Sequence, residues 1–224
     1  MERVPEPELM DDPAQARAYA EADFSEPHEM FVAAFRERLG APRGPVADLG
    51  CGPADVTLRF ARAFPEVTVE AVDGAAAMLA LARAAVERAG LGRRVHLLRG
   101  RIPEAPPGEA LYGTVISNSL LHHLGDPLDL WRTVRRIGAP GAAVFVMDLM
   151  RPRDEAEWER LVETYAAGAP PVLRRDFRAS LAAAWRPEEI EAQLAAAGLG
   201  GALRVETLSD RHLAVWGRLP GARS

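Results

Sequence analysis

The stretch Val46-Ala47-Asp48-Leu49-Gly50-Cys51-Gly52-Pro53-Ala54-Asp55 decides the fold. It runs as a short apolar strand into a turn with two close glycines, and then into a segment of helical period. In an open α/β sheet, the crevice beyond the carboxyl ends of the strands is where ligands bind. Two glycines there let the backbone turn tightly and approach a ligand with no side chain between. Asp73 ends the next candidate strand, 21 residues after Gly52 (73 − 52). A carboxylate at that place can accept hydrogen bonds from both hydroxyls of a ribose. A dinucleotide fingerprint would want a third glycine at position 55, but Asp55 stands there, a negative charge where a pyrophosphate would sit. Asp48, just before the glycines, offers its carboxylate to a cation, so the loop favours a cationic ligand over an anionic one.

Outward from this stretch, β-branched apolar runs alternate with helical segments. The candidate strands are 46–49, 67–73, 95–99, 114–118 and 143–149, with helices at about 55–63, 75–89 and 127–137 between them. Gly90 is a plausible stop for the second of these helices. After Met150 the rhythm changes. A charged helical stretch runs through Tyr165, a break falls at Gly168-Ala169-Pro170-Pro171, and another helix begins near Pro187. The last two strands, about 203–208 and 212–218, are joined by so short a turn that they must be antiparallel. Two helices, about 13–22 and 27–39, precede the first strand.

The expected architecture is α/β, a seven-stranded, mostly parallel, doubly wound sheet with a C-terminal antiparallel hairpin. One domain is expected over 1–224: an N-terminal helical cap (1–42), a ligand-binding core (43–150), a lid insertion (151–186), and a C-terminal helix with the hairpin (187–224).

Composition narrows the classes. With 224 residues, 48% hydrophobic and 26% charged, the chain suits an ordinary globular domain. The net charge is −5, and every basic residue is arginine. Lysine Schiff-base chemistry is therefore excluded, and an acidic chain with scattered arginines offers no broad positive field to nucleic acid. Cys51, a lone cysteine, can form no internal disulfide and suits a reducing cytoplasm. No stretch approaches the roughly 18 apolar residues needed to span a bilayer, and the charged, proline-rich amino terminus is no secretory signal. The expectation is a cytoplasmic protein, a monomer or homodimer, without membrane or nucleic-acid partners.

Asp48-Leu49-Gly50-Cys51-Gly52 resembles the first motif of the class I S-adenosylmethionine-dependent methyltransferases. Val72-Asp73-Gly74 with Met78-Leu79 resembles the second. Ser117-Asn118-Ser119-Leu120-Leu121-His122-His123-Leu124 is similar to the segment after the fourth strand in the small-molecule branch of the family. The resemblance spans about 45–150 and implies S-adenosylmethionine as cofactor, with S-adenosylhomocysteine as product. It assigns Asp48 and the Gly50–Cys51–Gly52 backbone to the methionine part, and Asp73 with Gly74 and Met78 to the nucleoside. The main chain around Asn118 and Ser119 would hold the amino group. Ala54 replaces a third glycine. Arg101 replaces an acid that meets the adenine amino group in many members, so Ile102 or the main chain beside it is expected to meet adenine here.

Methyl transfer is an in-line displacement in which a neutral thioether leaves, so the leaving group needs no acid. Alignment and desolvation supply most of the acceleration, and a base is needed only for a protonated nucleophile. The base candidates are His122 first, then His123 and His212, with Asp148 at the end of the fifth strand facing the crevice. Segments placed before the first strand and after the fifth can cover the carboxyl edge and exclude water. Tyr19, Phe24, Arg151, Tyr165, Phe177 and Trp185 are candidates for that cover, although aromatic residues in amphipathic helices are more often plain core. His96 reads as structural, and His28 as a surface or satisfied histidine.

No Asn-Pro-Pro-Tyr or Asp-Pro-Pro-Tyr follows the fourth strand, and no paired glutamates do. This argues against exocyclic amines of bases, protein glutamine and protein arginine as acceptors. Asp148 and Asn118 make a poor magnesium site, with a single carboxylate between them, so no metal is expected. A small organic acceptor remains. Two other readings stay open: an NAD-dependent oxidoreductase, which Asp55 opposes, and a non-catalytic nucleoside-binding or regulatory module of the same fold, which Arg101 favours.

Overall fold

A computed structural model describes residues 1–7, 9–106 and 112–221. Helices α1 (Pro13–Glu21) and α2 (Ser25–Leu39) lead into β1 (Val46–Leu49). Then follow α3 (Asp55–Ala63), β2 (Val69–Asp73), α4 (Ala76–Arg88), β3 (Val95–Arg99) and β4 (Tyr112–Asn118). A 3-10 turn (Leu121–His123) joins β4 to α5 (Leu128–Ile137) and β5 (Gly138–Leu149). The chain ends with α6 (Glu155–Ala166), α7 (Pro171–Ala183), α8 (Pro187–Ala196), β6 (Leu203–Thr207) and β7 (His212–Arg218).

The seven strands form one sheet in the order β3-β2-β1-β4-β5-β7-β6. Strands β1 to β5 pair in parallel, while β7 runs antiparallel to both β5 and β6. The expected fold class therefore holds. The order reverses direction between β1 and β4, the switch point at which a crevice opens.

Alternation along β5 shows how both faces are covered. Phe145 and Met147 belong to one core cluster, and Val144 and Val146 to the other, as the two-residue period of a strand requires. On the first face, Phe35 of α2 meets Phe60 and Phe64 at ring-centroid separations of 4.9 and 5.5 Å, and Phe145 at 5.8 Å, edge to face. On the second, fully buried Trp131 of α5 donates its indole N–H to Gln193 of α8 at 3.0 Å, which satisfies the ring's polar atom.

Two expectations need correction. The sequence reading places no helix between the Gly168–Pro171 break and Pro187, yet α7 fills most of that interval. Pro171 sits in its first turn, where a proline loses no hydrogen bond; the Pro-Pro pair starts a helix as well as ending a loop. Strand β5 also begins at Gly138, ahead of the expected Ala143, with a register irregularity opposite Tyr112/Thr114. Ala139-Pro140-Gly141 extends the strand.

The described residues ahead of α1 form a strap. Val4 N donates to Ala182 O at 3.0 Å, Arg3 Nε to Ala183 O at 2.6 Å, and Arg3 Nη2 to His122 O at 3.0 Å. The strap thus joins the end of α7 to the turn after β4. Among the described residues, no helix is long and apolar enough to cross a membrane.

The aromatic cluster yields a stability prediction. Phe35→Ala is expected to lower the unfolding free energy by about 3–5 kcal/mol, read as a reduced urea midpoint at unchanged slope. Phe35→Leu should lose clearly less.

Candidate functional site

A cavity of about 610 Å³ lies at the carboxyl edge of the sheet, with walls from the loop after β1, the ends of β2 and β4, helices α1, α2 and α7, and the β6–β7 turn. Its volume falls in the range of small-molecule sites. The loop at its base adopts left-handed backbone at Gly50 (φ +74°), Gly52 (+52°) and Ala54 (+70°). Gly50 N and Cys51 N both donate to Val72 O, at 2.8 and 3.0 Å, fastening the loop to β2. A Cβ on Gly50 would come within 2.8 Å of Leu120, so glycine is required there for packing as well as for conformation.

Asp73 completes the loop. Its Oδ2 accepts from Gly52 N and its Oδ1 from Ala75 N, both at 2.8 Å. Burial raises its pKa, and these backbone donors only partly offset the rise. Each carboxylate oxygen keeps a second lone pair, so the same group that fixes the loop can still accept from a ligand. Asp48 is 2% exposed and accepts from Thr57 Oγ1 at 2.6 Å. Burial pushes its pKa up to about 7 against that hydrogen bond. Asn118 Oδ1 is buried without a partner, while Nδ2 donates to Ser119 Oγ at 3.3 Å. An ionisable carboxyl and an orphaned amide oxygen on one wall fit the ammonium group of an amino-acid-bearing cofactor.

Gly74, Met78, Arg101 and Ile102 border the same cavity. A Cβ on Gly74 would approach Leu9 Cδ2 to 2.8 Å and Arg101 Cγ to 3.0 Å, so both side chains pack close over this glycine. Cys51 also borders the cavity, with its thiol raised far above the ordinary range by burial; it is no thiolate nucleophile.

Tyr19, Phe24, Tyr165 and Phe177 also border the cavity, with His122, His123 and His212; Tyr19 packs beside Ala75 and Met78. Tyr19 stacks near Phe24 at 4.8 Å, and burial pushes its pKa up to about 12. Tyr165 is 41% exposed and bonds Asp210 through its hydroxyl, and the Arg211 guanidinium lies 3.4 Å from its ring centroid. Burial lowers His212 to about 4 and His123 to about 3, so both are neutral rings at physiological pH. Burial works against the charged form of His122 too, but the Asp148 carboxylate on its Nδ1 reverses the balance and holds its pKa above the ordinary value.

Three placements differ from the sequence reading. Asp148 does not face the cavity: it is 2% exposed, with its carboxylate taken up by His122 Nδ1, His122 N and Leu149 N. Arg151 lies outside the cavity as well, buried, with Nη2 on Glu189 at 2.5 Å and Nη1 on Ala184 O at 3.1 Å. Trp185 leaves the wall to donate to Leu121 O at 3.4 Å, under the Arg3 guanidinium. The last two tie the segment after α7 to the body, since their length lets them reach partners behind the wall.

The structure also adds residues. His28 borders the cavity with Nδ1 on Asp55 Oδ2 at 2.5 Å. The Asp55 carboxylate, held to about 2 mainly by that imidazole and also bonded by Arg59, is thus compensated. Glu6 of the strap lies beside His122 and His123. Sequence offered no signal for Glu6, because it precedes any periodic element.

Residues 46–141 match a family described as the methyltransferase domain. A release factor glutamine methyltransferase of Gloeobacter violaceus is 43% identical over 77 residues, 33% of this chain and 25% of the relative. A trans-aconitate 2-methyltransferase of Mycobacterium ulcerans is 39% identical over 101 residues, 43% of this chain and 35% of the relative. The chain therefore spans only about a quarter to a third of these relatives' lengths. A solved S-adenosylmethionine-dependent methyltransferase of Aquifex aeolicus superposes with a TM-score of 0.68 at 18% identity, over 93% of this chain and 98% of that one, which shows a shared fold.

The two carboxylates make separable predictions. A bound ammonium favours ionised Asp48, so S-adenosylmethionine should bind more tightly as pH rises from about 5.5 to about 7, with release of a proton. Calorimetry in buffers of differing ionisation enthalpy reads that proton, and Asp48→Asn should flatten the dependence. Asp73→Ala should weaken the same binding at least about tenfold; unchanged affinity would place the ribose elsewhere.

Proposed function

We propose that this chain, whose residues 46–141 match the methyltransferase domain family and whose fold is shared with a solved S-adenosylmethionine-dependent methyltransferase, moves the methyl group of S-adenosylmethionine to a small organic acceptor by in-line displacement. The observation that carries this reading is the continuity of one cavity from the Asp48–Asp73 loop to the aromatic and histidine wall. A cofactor seated at one end and an acceptor at the other would meet without crossing solvent. The cofactor supplies an electrophilic methyl on a positively charged sulfur, which leaves as a neutral thioether.

The chain's own residues supply position. The Gly50–Gly52 backbone and Asn118 would orient the amino-acid part, with Asp48 as its charge partner. Asp73 would hold the ribose, and Gly74, Met78, Arg101 and Ile102 would border the base. Tyr19, Phe24, Tyr165 and Phe177, with His212, would wrap the acceptor and exclude water, which strengthens each polar contact inside. His122 and His123 are the proposed catalytic pair, standing where the turn after β4 meets the acceptor end. The cavity's size supports a small molecule over a macromolecular chain. The trans-aconitate relative has a small acceptor in its name, but it matches over less than half of this chain.

The decisive assay incubates the protein with S-adenosylmethionine and fractions of a low-molecular-weight metabolite extract, and follows S-adenosylhomocysteine by mass spectrometry. Release above the protein-free blank, abolished in Asp73→Ala, is expected. Tight cofactor binding with no release from any fraction would favour the non-catalytic module instead.

A further inference from the structure

Three side chains from two distant stretches of chain meet beneath the strap: Glu6, and the His122–His123 pair of the turn after β4. Glu6 Oε1 lies 3.3 Å from His122 Nε2 and 3.4 Å from His123 Nδ1. One ligating atom from each residue lies within 4.8 Å of the other two. Glu6 Oε1 is nevertheless a buried oxygen with no hydrogen-bond partner, a costly state for a carboxylate. Its two separations match those of donor atoms around one small cation. Bonds of about 2.0–2.1 Å meeting near the tetrahedral angle put neighbouring donors about 3.4 Å apart.

The surroundings of His122 point the same way. Its Nδ1 is held by the Asp148 carboxylate, which is itself fixed by Leu149 N. A carboxylate on the far nitrogen of a ligating imidazole fixes the ring and its tautomer, and turns the Nε2 lone pair toward the ion. Once ligation makes both rings neutral, Glu6 and Asp148 bring two negative charges, which one dication would balance. Two nitrogens and one oxygen, with no thiolate, suit zinc, cobalt or nickel better than magnesium or calcium.

We propose that Glu6, His122 and His123 bind a transition-metal dication of the zinc type, with the strap supplying the third ligand. His123 Nδ1 now faces Pro7 O at 3.2 Å; ligation puts the His123 proton on Nε2 and gives the Nδ1 lone pair to the ion. His122 and His123 border the cavity, so the remaining coordination position opens onto it, at the end proposed above for the acceptor. Three protein ligands with one open position is the arrangement of reactive zinc sites. An oxygen or nitrogen donor of the acceptor fills that position, and the ion makes its deprotonation easier. The two histidines then serve the reaction as ligands and not as titrating bases. This role rests on the methyl-transfer reading, whereas binding of the ion does not.

Tag-free protein, stripped with chelator and dialysed, is titrated with zinc chloride by calorimetry, and with cobalt chloride by visible absorption. One equivalent is expected to bind, with a d–d spectrum of low-coordinate cobalt. Glu6→Gln and His123→Asn should each weaken zinc at least about tenfold, and Asp148→Asn about 10–100-fold. S-adenosylmethionine affinity is measured on every variant, and its retention shows that the fold survives. No stoichiometric binding, or binding unchanged in Glu6→Gln and His123→Asn, overturns the site while leaving the methyltransferase reading intact. Failure of the wild-type protein to bind S-adenosylmethionine sinks that reading and leaves the metal site standing.

Discussion

Strand β1 comes first in sequence and lies inside the sheet, and much else depends on that placement. The chain lays β2 on one side of β1 and later β4 on the other. Right-handed crossovers then send the connecting segments over opposite faces, and the carboxyl ends of β1 and β4 are left without a loop crossing between them. The opening is a consequence of topology. Glycine at position 50, the pinning of the loop to Val72 O and the Asp73 carboxylate bridging to Gly52 and Ala75 are local answers to the steric demands of that opening.

Carboxylates are distributed around it, each in a different electrostatic state. Asp48 has a hydroxyl partner and no cation, so burial dominates and it sits near neutrality. Asp148 has an imidazole and backbone donors, and is held below its ordinary value despite complete burial. Asp55 shares an imidazole and a guanidinium. One residue type therefore supplies a buried carboxyl raised to about 7, an anchor for a histidine and a closed ion pair. The environments, which come from different elements, decide between them.

The covering elements obey weaker rules than the sheet. α6 and α7 bury a small cluster of their own with Leu149, and the strap is fastened chiefly by main-chain acceptors on Ala182, Ala183 and His122. Such contacts demand few particular side chains, so they leave little trace in a sequence. The same strap carries Glu6 to the two histidines.

By itself the sequence determined the strand–helix alternation, the antiparallel closing hairpin, the glycine loop and Asp73, because each rests on local period or on backbone demands that few residues meet. The break at Pro170-Pro171 misled for the same reason: proline marks a helix start and a loop end alike, and only α6, packed against α7, chooses between them. Side-chain destinations lay further out of reach. Arg151 and Trp185 turn behind the wall, Asp148 is consumed by His122, His28 finds Asp55, and Glu6 crosses to residues more than a hundred positions away. Those outcomes are settled by which buried polar groups find partners once the sheet has closed, a condition that holds between elements and is written in none of them singly.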